Sequence, residues 1–168
     1  SLLNDDIFGI LALIAAGENA ESSIVADAKN FLLAEQNTDG GWGFAASASS
    51  DTNTTAAAIL ALLAAGESAS SNAIQIALGY LQAAQNADGG FPYDPQSSFG
   101  TESDSSSTSW VIWALNALGI APSSWSKPGG DPASYLDSVQ IAQGYFEYMP
   151  GTGEDAFSPV TTAYAVIA

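Results

Sequence analysis

The chain has 168 residues, 47% of them apolar, and carries 18 acidic side chains against two basic ones, for a formal net charge of −16. That length and apolar content suffice for a sizeable core and argue against disorder, while the charge excludes nucleic acid and anionic membrane as partners, both of which require a Lys/Arg footprint. Cys, His and Arg are absent, which excludes a disulfide framework, a thiolate zinc site and His-dependent nucleophilic catalysis.

The first element in chain order is an Ala/Leu-rich stretch around Ile7–Ala16, too short to span a membrane and read as a packed helix. Gly17 follows it as a left-handed stop. A second helix is expected from an apolar stripe of Ile24, Ala28, Phe31 and Leu32. The next block repeats the first: residues 10–20 and 59–69 share nine of eleven positions at an offset of 49. Asp51 is expected as an N-cap or first-turn acid of the helix over Thr54–Gly66. Ile74, Leu78 and Leu81 stripe its partner. A third copy runs from Asp104 through Thr108–Gly119. It is followed by a Ser- and Pro-containing insertion from Ser123 to Pro132 and a stripe of Tyr135, Val139, Ala142 and Phe146. Val160–Ala168 starts a fourth.

Each unit therefore reads as a helical hairpin, with one helix apolar nearly all round and one amphipathic. The fold expected is all-α, with about seven helices in two concentric layers. It forms one domain over 1–168, with repeats at about 5–50, 51–103 and 104–157 and a truncated fourth at 158–168. The glycine that should close the fourth copy would fall near position 173, so a segment of a longer protein is expected. No secretory leader is visible. The acidity and the abundance of Ser, Thr, Asn and Ala suit an extracellular or cell-surface bacterial protein.

Between the helices of adjacent repeats lies Gln36-Asn37-Thr38-Asp39-Gly40-Gly41-Trp42, which recurs as Gln85-Asn86-Ala87-Asp88-Gly89-Gly90-Phe91. Paired glycines permit positive φ, and Asp39 or Asp88 can bond the turn backbone. Gln36 or Gln85 can reach backbone groups at neighbouring helix ends, and Trp42 or Phe91 can fill the seam between hairpins. These roles are structural. A third copy is expected at Gly144–Gly151, without the Gln and the Asp-Gly-Gly-aromatic pattern.

The motif resembles the Q-x-x-D-G-G-W repeat of the prenyltransferase and squalene-cyclase superfamily. That resemblance implies an α/α toroid with a central cavity. Its triterpene cyclases use an Asp-x-Asp-Asp-Thr-Ala segment whose middle Asp protonates the alkene. Here the matching segment is Asp51-Thr52-Asn53-Thr54-Thr55-Ala56, and the next copy is Asp104-Ser105-Ser106-Ser107-Thr108-Ser109. Asn53/Thr54 and Ser106/Ser107 replace the two carboxylates, so neither site has the acid. The zinc set and basic diphosphate pocket of protein prenyltransferases have no counterpart either.

No catalytic residue and no metal ligand are assigned. The ligand-binding candidates are Asp51, Asn53 and Asp104, at the motif, and Trp110 and Trp113, which share a helix face at i, i+3. Asp94, Glu102, Asp104, Glu154 and Asp155 leave glycosidase chemistry or calcium open, and a bulky cofactor such as cobalamin is open by analogy of fold alone. Trp125, in the polar insertion, is expected to be partly exposed. The function expected is a non-catalytic binding or interaction module for a small molecule, glycan or protein. The alternatives are a segment of a terpene cyclase or prenyltransferase-like enzyme with its catalytic residues elsewhere, and a structural spacer. Self-association through the open toroid faces is also expected.

Overall fold

The computed structural model describes residues 2–168. Among the described residues there are seven α-helices: α1 (Leu3–Ala15), α2 (Ser23–Ala34), α3 (Thr52–Ala64), α4 (Asn72–Ala84), α5 (Ser105–Ala117), α6 (Pro132–Val139) and α7 (Ser158–Ile167). A 3₁₀ turn, Pro122–Ser124, precedes α6, and no β-strand forms among the described residues. The chain forms two compact units, one ending at Ala83 and one running Ala84–Ala168.

In the first unit α1 packs against α2 and α3, and α2 also touches α3. In the second, α5 packs against α6 and α7. The expectation of all-round burial holds for α3, where Thr54–Leu62 are all buried, and for α5. It fails for α1, which shares the Ile-Leu-Ala-Leu block of α3 but buries just Leu3, Ile7 and Ile10. Composition sets the capacity for burial, and neighbours on each side realise it.

The three Ala/Leu helices end alike. The Glu18 N–H bonds Leu13 O and the Gly17 N–H bonds Ile14 O; Glu67 and Gly66 pair in the same way with Leu62 and Leu63, and Ile120 and Gly119 with Leu115 and Asn116. These are Schellman closures around glycines at φ 92°, 78° and 71°.

The amphipathic helices need two corrections. On α2 Leu32 is buried as expected and Ala28 and Phe31 are half-buried, but Ile24 is 57% exposed and its neighbour Val25 is the buried residue of the first turn. On α4 the expected Ile74, Leu78 and Leu81 are buried. The third stripe holds only to Val139, where α6 stops as Gln140 turns extended (ψ 125°). Ala142 is exposed on the following turn, and Phe146 returns to the core beyond it, clustered with Ile112, Tyr135, Leu136 and Val139.

That turn is the true third copy of the loop motif. In the first two copies the Asn37 N–H bonds Gly41 O and the Gly40 N–H bonds Asn37 O, and the Asn86 N–H bonds Gly90 O and the Gly89 N–H bonds Asn86 O. The Ile141 N–H bonds Tyr145 O and the Gly144 N–H bonds Ile141 O in the same pattern. Gly40, Gly89 and Gly144 have φ of 93°, 92° and 95°. The copy is therefore Gln140–Phe146, four residues before the expected Gly144–Gly151. It keeps the Gln, the left-handed glycine and the aromatic, and loses the Asp and the second Gly.

Candidate functional site

Each loop motif hands the chain to the first helix of the next hairpin, α3, α5 or α7, and the same small set of bonds recurs there. The Trp42 and Phe91 N–H groups donate to Thr55 Oγ1 and Thr108 Oγ1, each at 3.0 Å. The Phe146 N–H donates to Thr162 Oγ1, also at 3.0 Å. The loops are cross-braced. The Gln36 amide donates to Gly40 O and Ala73 O at 2.8 and 2.9 Å, and that of Gln85 to Gly89 O and Trp125 O at 2.9 and 2.7 Å. Asp39 Oδ1 accepts from the Gly41 N–H and Ser50 Oγ, and Asp88 Oδ1 from the Gly90 N–H and Ser103 Oγ. Trp42 is fully buried and donates its indole N–H to Leu32 O at 2.8 Å. The motif residues Gln36, Asp39, Gly40, Gly41, Trp42, Gln85, Asp88, Gly89, Gly90 and Phe91 thus tie each loop to the hairpin that follows it.

Asp51 and Asp104 are N-caps, as expected. Asp51 accepts from the Thr54 N–H (2.7 Å) and hydroxyl (2.8 Å), and Asp104 from the Ser107 N–H and hydroxyl (both 2.7 Å). Both carboxylates are buried. Asn53, in the first turn of α3, is half-buried, with Oδ1 sealed from solvent and unbonded.

At α5 the cap gains a further partner. Tyr148 hydrogen-bonds the Asp104 carboxylate, while the Tyr148 carbonyl accepts from the Ser105 N–H at 2.9 Å. Burial pushes the Tyr148 phenol up to about 12, aided by the negative charge of Asp104 and their shared bond. Burial also lifts Asp104 above its ordinary 3.8, against the opposing bonds from Ser107, Tyr148 and Ser106. The folded chain therefore holds the Asp104 proton to higher pH than the unfolded chain. This contribution to stability is complete below 3.8 and declines as pH rises through the raised value. Asp104→Asn is expected to abolish that decline in urea unfolding followed between about pH 3 and 7. Tyr148→Phe, which deletes a bond to the carboxylate, is expected to lift Asp104 further and steepen the decline. A difference between wild type and Asp104→Asn that stays constant with pH would contradict the assignment.

A cavity of about 460 Å³ opens beside this cap, lined by Ser106, Tyr148, Asp155, Phe157, Val160 and Thr161. Ser106 is the third residue of the Asp104–Ser109 segment, the second copy of the Asp51–Ala56 segment. Asp155 is an exposed turn carboxylate whose Oδ1 accepts from the Phe157 and Ser158 N–H groups at 2.8 and 2.9 Å. A second, polar hollow of about 430 Å³ runs along Asn86–Asp88, Thr101–Ser103, Met149 and Pro150. No three acidic side chains gather to hold a metal ion among the described residues.

Of the sequence candidates, Asp104 stands behind the cavity, and Asp51 and Asn53 belong to the first unit. Trp110 and Trp113 stack at 5.2 Å between ring centroids, with Tyr164 at 5.4 Å from Trp110. They form an aromatic row and are not among the residues lining the cavity. Trp125 is buried, its ring 6.3 Å from Phe91, which overturns the expectation of an exposed tryptophan. Polar neighbours in sequence conceal that its turn folds back onto the anchor of the previous repeat. Tyr148, Phe157, Val160 and Thr161 went unforeseen as site residues. The corrected third motif supplies the missing signal for Tyr148, since Phe44, Tyr93 and Tyr148 each stand two residues after the anchor aromatic.

Residues 6–91 match the family described as the squalene-hopene cyclase C-terminal domain. No curated protein sequence matches the chain. Among solved structures it is similar to Candida albicans protein geranylgeranyltransferase-I complexed with GGPP, at 17% identity and a TM-score of 0.69 over 99% of this chain and 48% of that one. It is also similar to the type II terpene cyclase MstE from Scytonema, at 18% identity and a TM-score of 0.65 over 97% of this chain and 57% of that one. A variant of that cyclase in complex with its product, merosterolic acid A, matches equally well. The chain thus spans about half the length of these structures. The likeness is one of fold, an all-α series of helical hairpins of the α/α-toroid type.

Proposed function

The chain belongs to the squalene-hopene cyclase C-terminal domain family, and from that premise we propose that it is a non-catalytic binding module holding a neutral prenyl-type chain in the cavity at the start of α5. One observation carries this reading. The cavity has an apolar wall, Phe157 and Val160, but where a cyclase would present its acid it presents the Ser106 hydroxyl. The buried carboxylate behind it, Asp104, has both oxygens committed to Ser107. Protonating an alkene requires an acid free to face it, whereas holding a chain requires only shape and apolar surface. The wall contains neither lysine, so a diphosphate head group would lack a counter-charge, and a neutral chain fits better.

The test is a titration with geranylgeraniol, read by native mass spectrometry and thermal shift, with the recovered ligand analysed by gas chromatography–mass spectrometry. Saturable binding, unchanged ligand and loss of binding in Ser106→Trp are expected. A cyclised product, or no binding by the wild type, would overturn the proposal.

A second reading, favoured by coverage of 57% of the terpene cyclase, makes the chain part of a cyclase-like enzyme whose acid lies in other residues. Turnover by the full-length gene product but not by these 168 residues would support it.

A further inference from the structure

The helix starts that border the cavity are rich in hydroxyls, and most of these are committed within the fold. On α5, Ser105 Oγ donates to Glu147 O at 2.7 Å, Ser107 Oγ to the Asp104 carboxylate at 2.7 Å, Thr108 Oγ1 to Asp104 O at 2.7 Å and Ser109 Oγ to Ser105 O at 2.6 Å. On α7, Ser158 Oγ accepts from the Asp155 N–H at 2.8 Å, and Thr162 Oγ1 from the Phe146 N–H at 3.0 Å. Ser106 and Thr161 differ. Among the described residues their hydroxyls are bonded to each other alone, at 3.4 Å. A full O–H···O bond spans about 2.5–3.0 Å, so this contact satisfies neither group well. Both line the cavity, Thr161 being 2% exposed and Ser106 half-buried. The cavity therefore presents two under-bonded hydroxyls, set across the α5–α7 contact, beside the apolar Phe157 and Val160.

We infer that the site selects a monohydric prenyl-type alcohol whose hydroxyl bridges Ser106 and Thr161, an assignment that rests on the cavity's holding a prenyl-type chain. A hydroxyl suits the pair because it accepts from one side chain while donating to the other. A hydrocarbon end would take water from both side chains and return no bond. An ether oxygen can accept but cannot donate. A carboxylate would face the Asp155 carboxylate in a wall that contains neither lysine. An ammonium would have to shed tightly held water. Its pairing with Asp155 would return little, because that side chain is exposed and already accepts from the Phe157 and Ser158 N–H groups.

The test is a set of dissociation constants for the wild-type 168-residue chain. The probes are geranylgeraniol, its methyl ether, its deoxy analogue (CH3 for CH2OH), geranylgeranylamine and geranylgeranoic acid. The alcohol is expected to bind at least about tenfold tighter than each of the others. In Ser106→Ala/Thr161→Val the alcohol and its deoxy analogue should bind about equally, with the deoxy analogue no weaker than in the wild type. Changing position 161 to Thr161→Ser in that variant, which returns one hydroxyl, should restore part of the preference. Far-UV circular dichroism and the unfolding temperature separate these effects from misfolding, and if the double variant does not fold, the wild-type ligand series decides alone. A wild type that binds the alcohol and its deoxy analogue equally, or the amine or acid more tightly, overturns the alcohol assignment and leaves prenyl binding standing. A preference that survives the loss of both hydroxyls in a folded variant does the same. Failure of every probe to bind, the deoxy analogue included, overturns prenyl binding and the alcohol assignment with it.

Discussion

Trp42→Ala is expected to cost about 3–5 kcal/mol of stability, in the range for removing a fully buried large aromatic. The ring is completely enclosed, its N–H is the partner of Leu32 O, and its backbone N–H is held by Thr55. Truncation would leave a cavity and an unpaired buried carbonyl at the point where one hairpin joins the next. Trp42→Phe should cost less, about 1–2 kcal/mol, because Phe91 fills the same place in the following repeat and the change removes little more than the indole bond. Urea denaturation of the three proteins measures both. If Trp42→Ala costs under 1 kcal/mol, the anchor does not hold the seam.

Gly89→Ala carries the second large effect, and its comparison with Gly144→Ala isolates the cause. Both glycines sit in the left-handed region, at φ 92° and 95°, so alanine meets the same backbone penalty at each, about 1–2 kcal/mol. They differ in surroundings. A Cβ on Gly89 would lie 2.6 Å from Asp131 N and from Gly130 C, whereas one on Gly144 would meet nothing within 4 Å. The obstacle at Gly89 is backbone, which cannot rotate away, and Asp131 is the cap of α6 through the Ala133 and Ser134 N–H groups. Gly89→Ala is therefore expected to cost more than about 3 kcal/mol, and Gly144→Ala about 1–2. Equal losses in thermal or urea unfolding would show that close approach is not the reason for glycine at position 89.

The repeat was legible in the residues because its determinants are local. Gly17, Gly66 and Gly119 close helices through their own backbone freedom. Asp51 and Asp104 cap through bonds to residues three positions on. Helices and turns of that kind need no distant partner, so the hairpin fold could be read from spacing alone.

What tertiary structure decided was everything that depends on which surfaces meet. The indistinct third motif became recognisable at Gln140–Phe146 only through its turn bonds, since its Asp and second Gly are gone. Trp125 became core because a polar loop folds onto Phe91. The near-identical blocks at 10–20 and 59–69 acquired different burial because α3 is enclosed and α1 is not. Local interactions are encoded by neighbours in the chain, but burial is a property of the partner, and sequence identity between two helices cannot say whether each has one.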